Sequence, residues 1–244
     1  RIEMSHAGGY GVVYEEGEEP DRQDPEGWRL SWDYNSRFRR PLCFRVPSGK
    51  VVSVRQLASS KDNSVLQSDP IDSSVTVWDS ALVAACALCK SSSVIEGKKV
   101  LELGSGTGLL GSVCAALGAE LVVMTDLAGV CPRLKQVIQD NEESFLGRAV
   151  CSPLTWGDSK AARAVLKEHF KGKWPDLVIC TDCIYRQGIP EILIATIKEV
   201  VGPDTVMLCA AANHRPDVIE DFHHRIDSLK SFTVSNLRDE ELDE

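Results

Sequence analysis

Gly104, Gly106 and Gly108 stand at alternate positions directly behind an apolar run, Val100-Leu101-Glu102-Leu103, and the chain continues into Leu109-Leu110-Gly111. This order predicts a strand, a tight loop and the first turn of a helix, a junction at which a nucleotide-like ligand can approach bare backbone. Each glycine omits a Cβ that would block the ligand or forbid the turn. The N–H groups of Gly104, Ser105 and Gly106 are the expected donors to it. Asp126, in Thr125-Asp126-Leu127, falls where a second strand should end. From there its carboxylate can accept hydrogen bonds from both hydroxyls of a ribose. It can equally cap the helix that follows, and the two roles are compatible.

Two ligands fit a loop of this kind. Gly106-Thr107-Gly108-Leu109-Leu110-Gly111 matches the dinucleotide pattern G-x-G-x-x-G, and Asp126 lies twenty residues beyond Gly106. Two details weigh against NAD. The apolar run ends at Leu103, so the first loop glycine is Gly104, and counting from there position 109 is leucine. Glu102 also sits one residue inside the strand end, where a dinucleotide fold keeps an apolar residue. The form E-L-G-S-G-T-G resembles motif I of class I S-adenosylmethionine-dependent methyltransferases.

The elements that must hold these residues alternate. From Val75 the residues Trp78, Ala81, Leu82, Ala85 and Leu88 fall at helical spacing, with Asp79 near the start. Strands are then predicted at about 99–103, 120–125, 149–155, 176–181, 205–211 and 232–237. Helices fall between them at about 107–118, 129–143, 159–170, 188–200 and 216–229. Leu121-Val122-Val123-Met124 and Leu177-Val178-Ile179-Cys180 are apolar at every position, as strands of a parallel sheet covered on both faces must be. The fold class is therefore α/β, a doubly wound Rossmann-like sheet.

Ahead of it, Leu42–Val46 and Val51–Arg55 flank Pro47-Ser48-Gly49-Lys50, a hairpin signal, and Ser59 to Ser74 is a polar loop. Residues 1–36 carry no comparable pattern. Glu15 to Glu26 holds seven acids and one arginine, broken by Gly17, Pro20 and Pro25, and reads as a solvated, partly mobile arm. The division expected is an arm and β-hairpin extension over 1–74 and the α/β domain over 75–244.

Charge narrows the partners. A net charge of −9 and a pI near 5.1 disfavour general affinity for nucleic acid or anionic membranes and suit a basic partner or a cationic side chain. No apolar run approaches the ~18 residues of a membrane span, and no secretory signal opens the chain. The chain begins at Arg1 and reads as part of a longer protein. Nine cysteines, scattered through predicted strands and helices, suit a reducing compartment. Cys86-x-x-Cys89 and Cys180-x-x-Cys183 raise a tetrathiolate zinc site, but neither pair lies on a knuckle turn and their separation far exceeds a zinc ribbon. They read as core thiols, with no metal.

Three further segments appear in order: Val77-Trp78-Asp79-Ser80-Ala81 ahead of the glycine loop, Leu154-Thr155-Trp156-Gly157 after the third strand, and Thr181-Asp182-Cys183-Ile184-Tyr185, which forms D-x-x-Y, after the fourth. With E-L-G-S-G-T-G and Thr125-Asp126-Leu127 they make five motifs in register. Over about residues 42–215 the chain resembles the family 16 seven-β-strand protein-lysine methyltransferases, in the methyltransferase-like 21 group that includes the lysine methyltransferase of valosin-containing protein.

The resemblance implies S-adenosylmethionine as cofactor, S-adenosylhomocysteine as product, and a protein lysine as acceptor, with a chaperone, an ATPase or a translation factor as the kind of substrate. It implies a monomer in the cytoplasm, or also the nucleus, with no nucleic acid or membrane partner. Cofactor contacts are expected from Trp78 near the methionine end, Glu102, Gly104, Ser105, Gly106, Asp126, Leu127, Trp156 against the adenine, and Thr181 through its backbone. Asp182 and Tyr185 are the expected catalytic pair. Asp182 should emerge at a strand's C-terminal end and orient the lysine or hold the cofactor's amino group, and Tyr185 should shape the channel. Replacing Asp182 should then cost more turnover than stability.

A small-molecule acceptor and a non-catalytic binding module stay open on the same fold. Ala210-Ala211-Ala212-Asn213-His214-Arg215 departs from the family, where an aromatic or charged cluster often lines the substrate site, and small residues there should widen it. The family sheet also closes with a seventh, antiparallel strand, whereas six core strands are visible in the sequence.

Overall fold

The computed structural model describes residues 2–3, 10–14, 41–56, 74–213, 215–229 and 232–235. The hairpin signal around Pro47-Ser48-Gly49-Lys50 is a hairpin, and it belongs to a larger antiparallel sheet. Its strands are β1 (Ile2–Glu3), β2 (Gly11–Tyr14), β3 (Leu42–Arg45) and β4 (Val51–Val54), in that spatial order. The pairing of β2 with β3 corrects the reading of residues 1–36 as uncommitted, since Gly11 to Val13 pair with Arg45 to Cys43 and Tyr10 and Val12 are buried. Four residues are too few to show a period, so the sequence hid this strand. The acidic run Glu15 to Glu26 and the loop from Ser59 to Ser73 lie outside the described residues.

The remainder alternates as expected: α1 (Asp79–Lys90), β5 (Lys99–Leu103), α2 (Leu109–Ala116), β6 (Leu121–Asp126), α3 (Cys131–Asn141), β7 (Arg148–Pro153), α4 (Ser159–Phe170), β8 (Leu177–Thr181), α5 (Ile189–Val200), β9 (Val206–Ala210) and α6 (Pro216–Asp227). Strands β5 to β9 form one parallel sheet in the order β7-β6-β5-β8-β9. The order reverses at β5, which carries the glycine loop, and a doubly wound sheet opens its ligand crevice at such a point.

Alternating side chains divide the core between the two faces. Val100, Val122, Met124 and Ile179 pack with α1, α2, α3 and the buried residues Phe44, Val52 and Val54 of the antiparallel sheet. Leu101, Leu103, Val123 and Val178 pack with α4, α5 and α6. The edge of β4 is held by α3: Asn141 accepts from Ser53 N–H at 2.7 Å and donates to Ser53 C=O at 2.8 Å.

One expected strand is missing. Residues 232–235 have no regular structure, and 236–237 lie outside the described residues, so the parallel sheet has five strands among the described residues. The alternation Phe232-Thr233-Val234 looked strand-like, but a turn ties Phe232 N–H to Leu229 C=O at 3.0 Å and packs the ring against the α6 side of the core.

Candidate active site

The glycine loop serves its own protein before any ligand. Ser105 donates its N–H to Thr125 C=O at 3.0 Å, Gly106 to the Asp126 carboxylate at 2.8 Å, and Gly108 to Ser105 C=O at 2.7 Å. Two of the three N–H groups expected to face a cofactor are thus committed inside the fold. Their effect is to clamp the loop onto the end of β6 and to fix Asp126. Gly108, with φ +79°, ends the loop, so α2 starts at Leu109 rather than at 107.

Gly104 explains its own residue type. A Cβ there would lie 2.9 Å from the Trp156 ring and 3.0 Å from Cys183 Sγ. Bare backbone is what lets the indole lie against the loop.

Glu102 points away from the cavity. It is 2 % exposed, and its Oε2 would stand 2.5 Å from a Cβ on Gly111, so α2 can cross β5 only with glycine at that position. Burial pushes the Glu102 carboxyl up to about 8, so at neutral pH it is held as the acid. The consequence for stability has a definite sign. Between about pH 4.5 and 8 the unfolded chain gives up this proton while the folded chain keeps it, so the contribution of Glu102 to stability falls as pH rises through that window. Glu102→Gln should remove the decline, and the difference in melting temperature between variant and wild type should widen from pH 5 to pH 8. A constant difference would show that Glu102 is ionised in the fold.

Asp126 is the polar centre of the cavity. One carboxylate oxygen accepts from Gly106 N–H at 2.8 Å and the other from Leu127 N–H at 2.7 Å. Burial raises its pKa, and these two bonds and the charge of Arg133 work against that rise. Each oxygen keeps a lone-pair direction free for an outside donor.

Asp182 follows β8 in the left-handed region, with φ +51°, and its N–H is held by Ala210 C=O at 2.8 Å. Its carboxylate accepts three bonds: Ser80 O–H at 2.7 Å and Ala212 N–H at 3.0 Å on one oxygen, and Ser80 N–H at 3.1 Å on the other. Helix α1 has no side-chain cap of its own at Trp78. Asp182 supplies that cap from about a hundred residues away and ties α1, the end of β8 and the segment after β9 together. These three bonds give Asp182 a structural role that its place at a strand end did not disclose.

Tyr185 is half-buried on the cavity wall. Burial pushes its phenol up against the lowering pull of Arg186, whose guanidinium carbon lies 5.8 Å from the ring centroid.

Together these groups line one cavity of about 240 Å³ at the C-terminal ends of the parallel strands. Of the residues singled out from the sequence, Trp78, Gly104, Gly106, Asp126, Leu127, Trp156, Thr181, Asp182 and Tyr185 line it, while Glu102 and Ser105 do not. Ala210, Ala211 and Ala212 do not line it either, so the widening expected from them is not found; Ala212 reaches the site only as a donor to Asp182. His214 lies outside the described residues.

Sequence reasoning missed Ser74, Cys183, Arg186, Ile189 and Ile192. The two isoleucines stand one helical turn apart at the start of α5, a signal that was present but was absorbed into the apolar face of a core helix. The wall around Asp126 is otherwise apolar: Leu127, Leu154, Trp156 and Ile192 face the same space. An acceptor pair for vicinal hydroxyls beside a flat apolar wall is the arrangement an adenosine needs.

The chain is similar to known proteins. A family profile described as lysine methyltransferase matches residues 60–229. EEF1A lysine methyltransferase 3 of Mus musculus is 31% identical over 213 residues, covering 85% of this chain and 80% of that protein. Protein N-lysine methyltransferase METTL21A of Danio rerio is 35% identical over 133 residues, covering 54% of this chain and 57% of its own. Among solved structures, the SAM-dependent methyltransferase from Agrobacterium tumefaciens superposes with a TM-score of 0.48 at 17% identity, over 77% of this chain and 57% of that one. The chain belongs to the lysine methyltransferase family, whose members transfer a methyl group from S-adenosylmethionine to protein lysines, and within it to the methyltransferase-like 21 group.

Proposed function

We propose that this chain methylates a lysine of a translation elongation factor of the EEF1A type, as a monomer in the cytoplasm. One observation carries the placement of the chemistry: Asp126, the apolar wall with Trp156, and Trp78, Asp182 and Tyr185 all line one cavity. The EEF1A substrate is supported by a relative matched over 80% of its own length, whose name states that acceptor. A reducing compartment is supported by nine free thiols.

The residues present fit the cofactor. Asp126 would take the ribose hydroxyls, Trp156, Leu127, Leu154 and Ile192 would enclose the adenine, and Gly104 and Gly106 leave the loop surface bare. Bound S-adenosylmethionine supplies a methyl group on a positively charged sulfur.

The chain's own residues then have three tasks. Trp78 and Tyr185 exclude water from the acceptor end, which disfavours the ammonium form of a lysine whose ordinary pKa is about 10.4. Asp182 accepts from three donors and so holds the start of α1 and the segment after β9 against the cavity wall. Tyr185 is un-ionised at neutral pH, so its hydroxyl can hold the amine by a hydrogen bond. Positioning is therefore the main catalytic term. Tyr185→Phe keeps the ring and loses the hydroxyl bond, which is worth about 1 kcal/mol, so kcat should fall by about fivefold with KM little changed.

Unmethylated EEF1A incubated with the chain and S-adenosylmethionine should gain methyl groups on lysine by mass spectrometry. Methyl transfer to small amines with no labelling of EEF1A would overturn the reading.

A further inference from the structure

Arg186 is a charged lining residue that neither the cofactor nor the chemistry above uses. It directly follows the D-x-x-Y motif, is exposed, and forms part of the cavity rim. Its guanidinium rests over the Tyr185 ring at 5.8 Å, within the range at which a cation gains from an aromatic face. That contact presets the orientation of a planar group built to bind carboxylates with two parallel bonds.

No carboxylate of the described residues is paired with it. Asp217, which the neighbouring Gln187 reaches at 3.1 Å, is already held by Arg215 through Nε at 3.1 Å and Nη2 at 3.0 Å. A cation with no carboxylate partner among the described residues thus stands at the entrance that a cationic lysine must pass, on a protein whose net charge is −9. A bare or basic-flanked lysine is repelled at that point, and a lysine that brings its own carboxylate is not.

The geometry points to Arg186 as a specificity residue that binds an acidic side chain flanking the target lysine; this rests on the protein-lysine acceptor proposed above. The guanidinium lies about 6 Å from the centre of the Tyr185 ring, and an extended peptide advances about 3.3 Å per residue. The acid expected is one that flanks the lysine closely enough to reach the cavity rim. The opposite preference is what the chain's overall acidity would produce, so the two effects can be separated.

Three fluorescein-labelled peptides of glycine and serine around one central lysine test this, with Asp, Ala or Arg at the two flanking positions. Anisotropy is read with S-adenosylhomocysteine at saturation. Wild type should bind the Asp peptide about tenfold more tightly than the Ala peptide, with the Arg peptide weakest. Arg186→Glu should reverse the order of the Asp and Arg peptides, a result that lost folding cannot produce.

Equal affinities in wild type, or an unchanged order in Arg186→Glu, overturn the inference, and so does the absence of binding by all three. Loss of S-adenosylhomocysteine affinity in Arg186→Ala also overturns it, by assigning the guanidinium to the cofactor's own carboxylate. The acceptor reading itself falls only if intact EEF1A takes no methyl label from wild type, so the two failures are distinct.

Discussion

Asp126→Ala should weaken S-adenosylhomocysteine binding by about a hundredfold, the largest effect on cofactor affinity expected from any single change in the cavity. The carboxylate would accept from both ribose hydroxyls, and bonds to a charged group are each worth about 1.5–3 kcal/mol, so losing the pair removes about 3 kcal/mol. The same carboxylate fixes the loop through Gly106 N–H and the start of the following segment through Leu127 N–H. Alanine orphans both donors, and the melting temperature of the free protein should fall as well. Asp126→Asn separates the effects, because the amide keeps one acceptor but presents N–H to one of the two backbone donors. Calorimetric titration of the two variants checks this, and an unchanged affinity in Asp126→Ala would remove Asp126 from the cofactor site.

Asp182→Ala should be the most damaging substitution for the fold of the site. Three accepted bonds disappear at once, leaving Ser80 N–H and Ala212 N–H without their partner and α1 without a cap. About 3 kcal/mol is a fair sum for a charged acceptor serving three donors, since such bonds couple and do not add fully. For a chain of this size that lowers the melting temperature by about 10 °C. Turnover should fall by about a hundredfold in addition, because α1 carries Trp78 at its N-terminus and Tyr185 lies three residues beyond the lost anchor, and misplacement by ~1 Å is costly. Ser80→Ala removes only the hydroxyl bond and should cost about 1 kcal/mol with most activity kept. If Asp182→Ala instead melts like wild type while losing turnover, the carboxylate acts on substrate rather than on α1.

The two substitutions also mark what a sequence can and cannot disclose. Strands β5, β6 and β8 were legible because their apolar runs are buried on both faces, the edge strands β7 and β9 by their place in the alternation, and helices such as α4 and α5 because the period of 3.6 persists over three turns. Asp126 was legible as a site residue because a polar residue ending an apolar strand has few other uses. The partners of Asp182 were not, since Ser80 and Ala212 lie 102 and 30 residues away and come together only when β8, β9 and α1 meet.

The loop shows the same limit. Its glycines announced a ligand site, but where Ser105 and Gly106 send their N–H groups depends on β6 lying alongside β5 in register. Strand β2 escaped notice because four residues beside an acidic run carry too little pattern. Arg186 was passed over because an exposed arginine is ordinary until it is seen stacked on a cavity wall without a carboxylate.

Titration calorimetry of the wild-type chain, first with S-adenosylhomocysteine and then with NAD, is the most direct test of what the cavity over β5, β6 and β8 holds. Binding of S-adenosylhomocysteine at a single site per chain, with no heat from NAD, is the expected result. Saturable binding of NAD with no response to S-adenosylhomocysteine would mean that Asp126 and the glycine loop serve a dinucleotide, and the assignment of this site would be wrong.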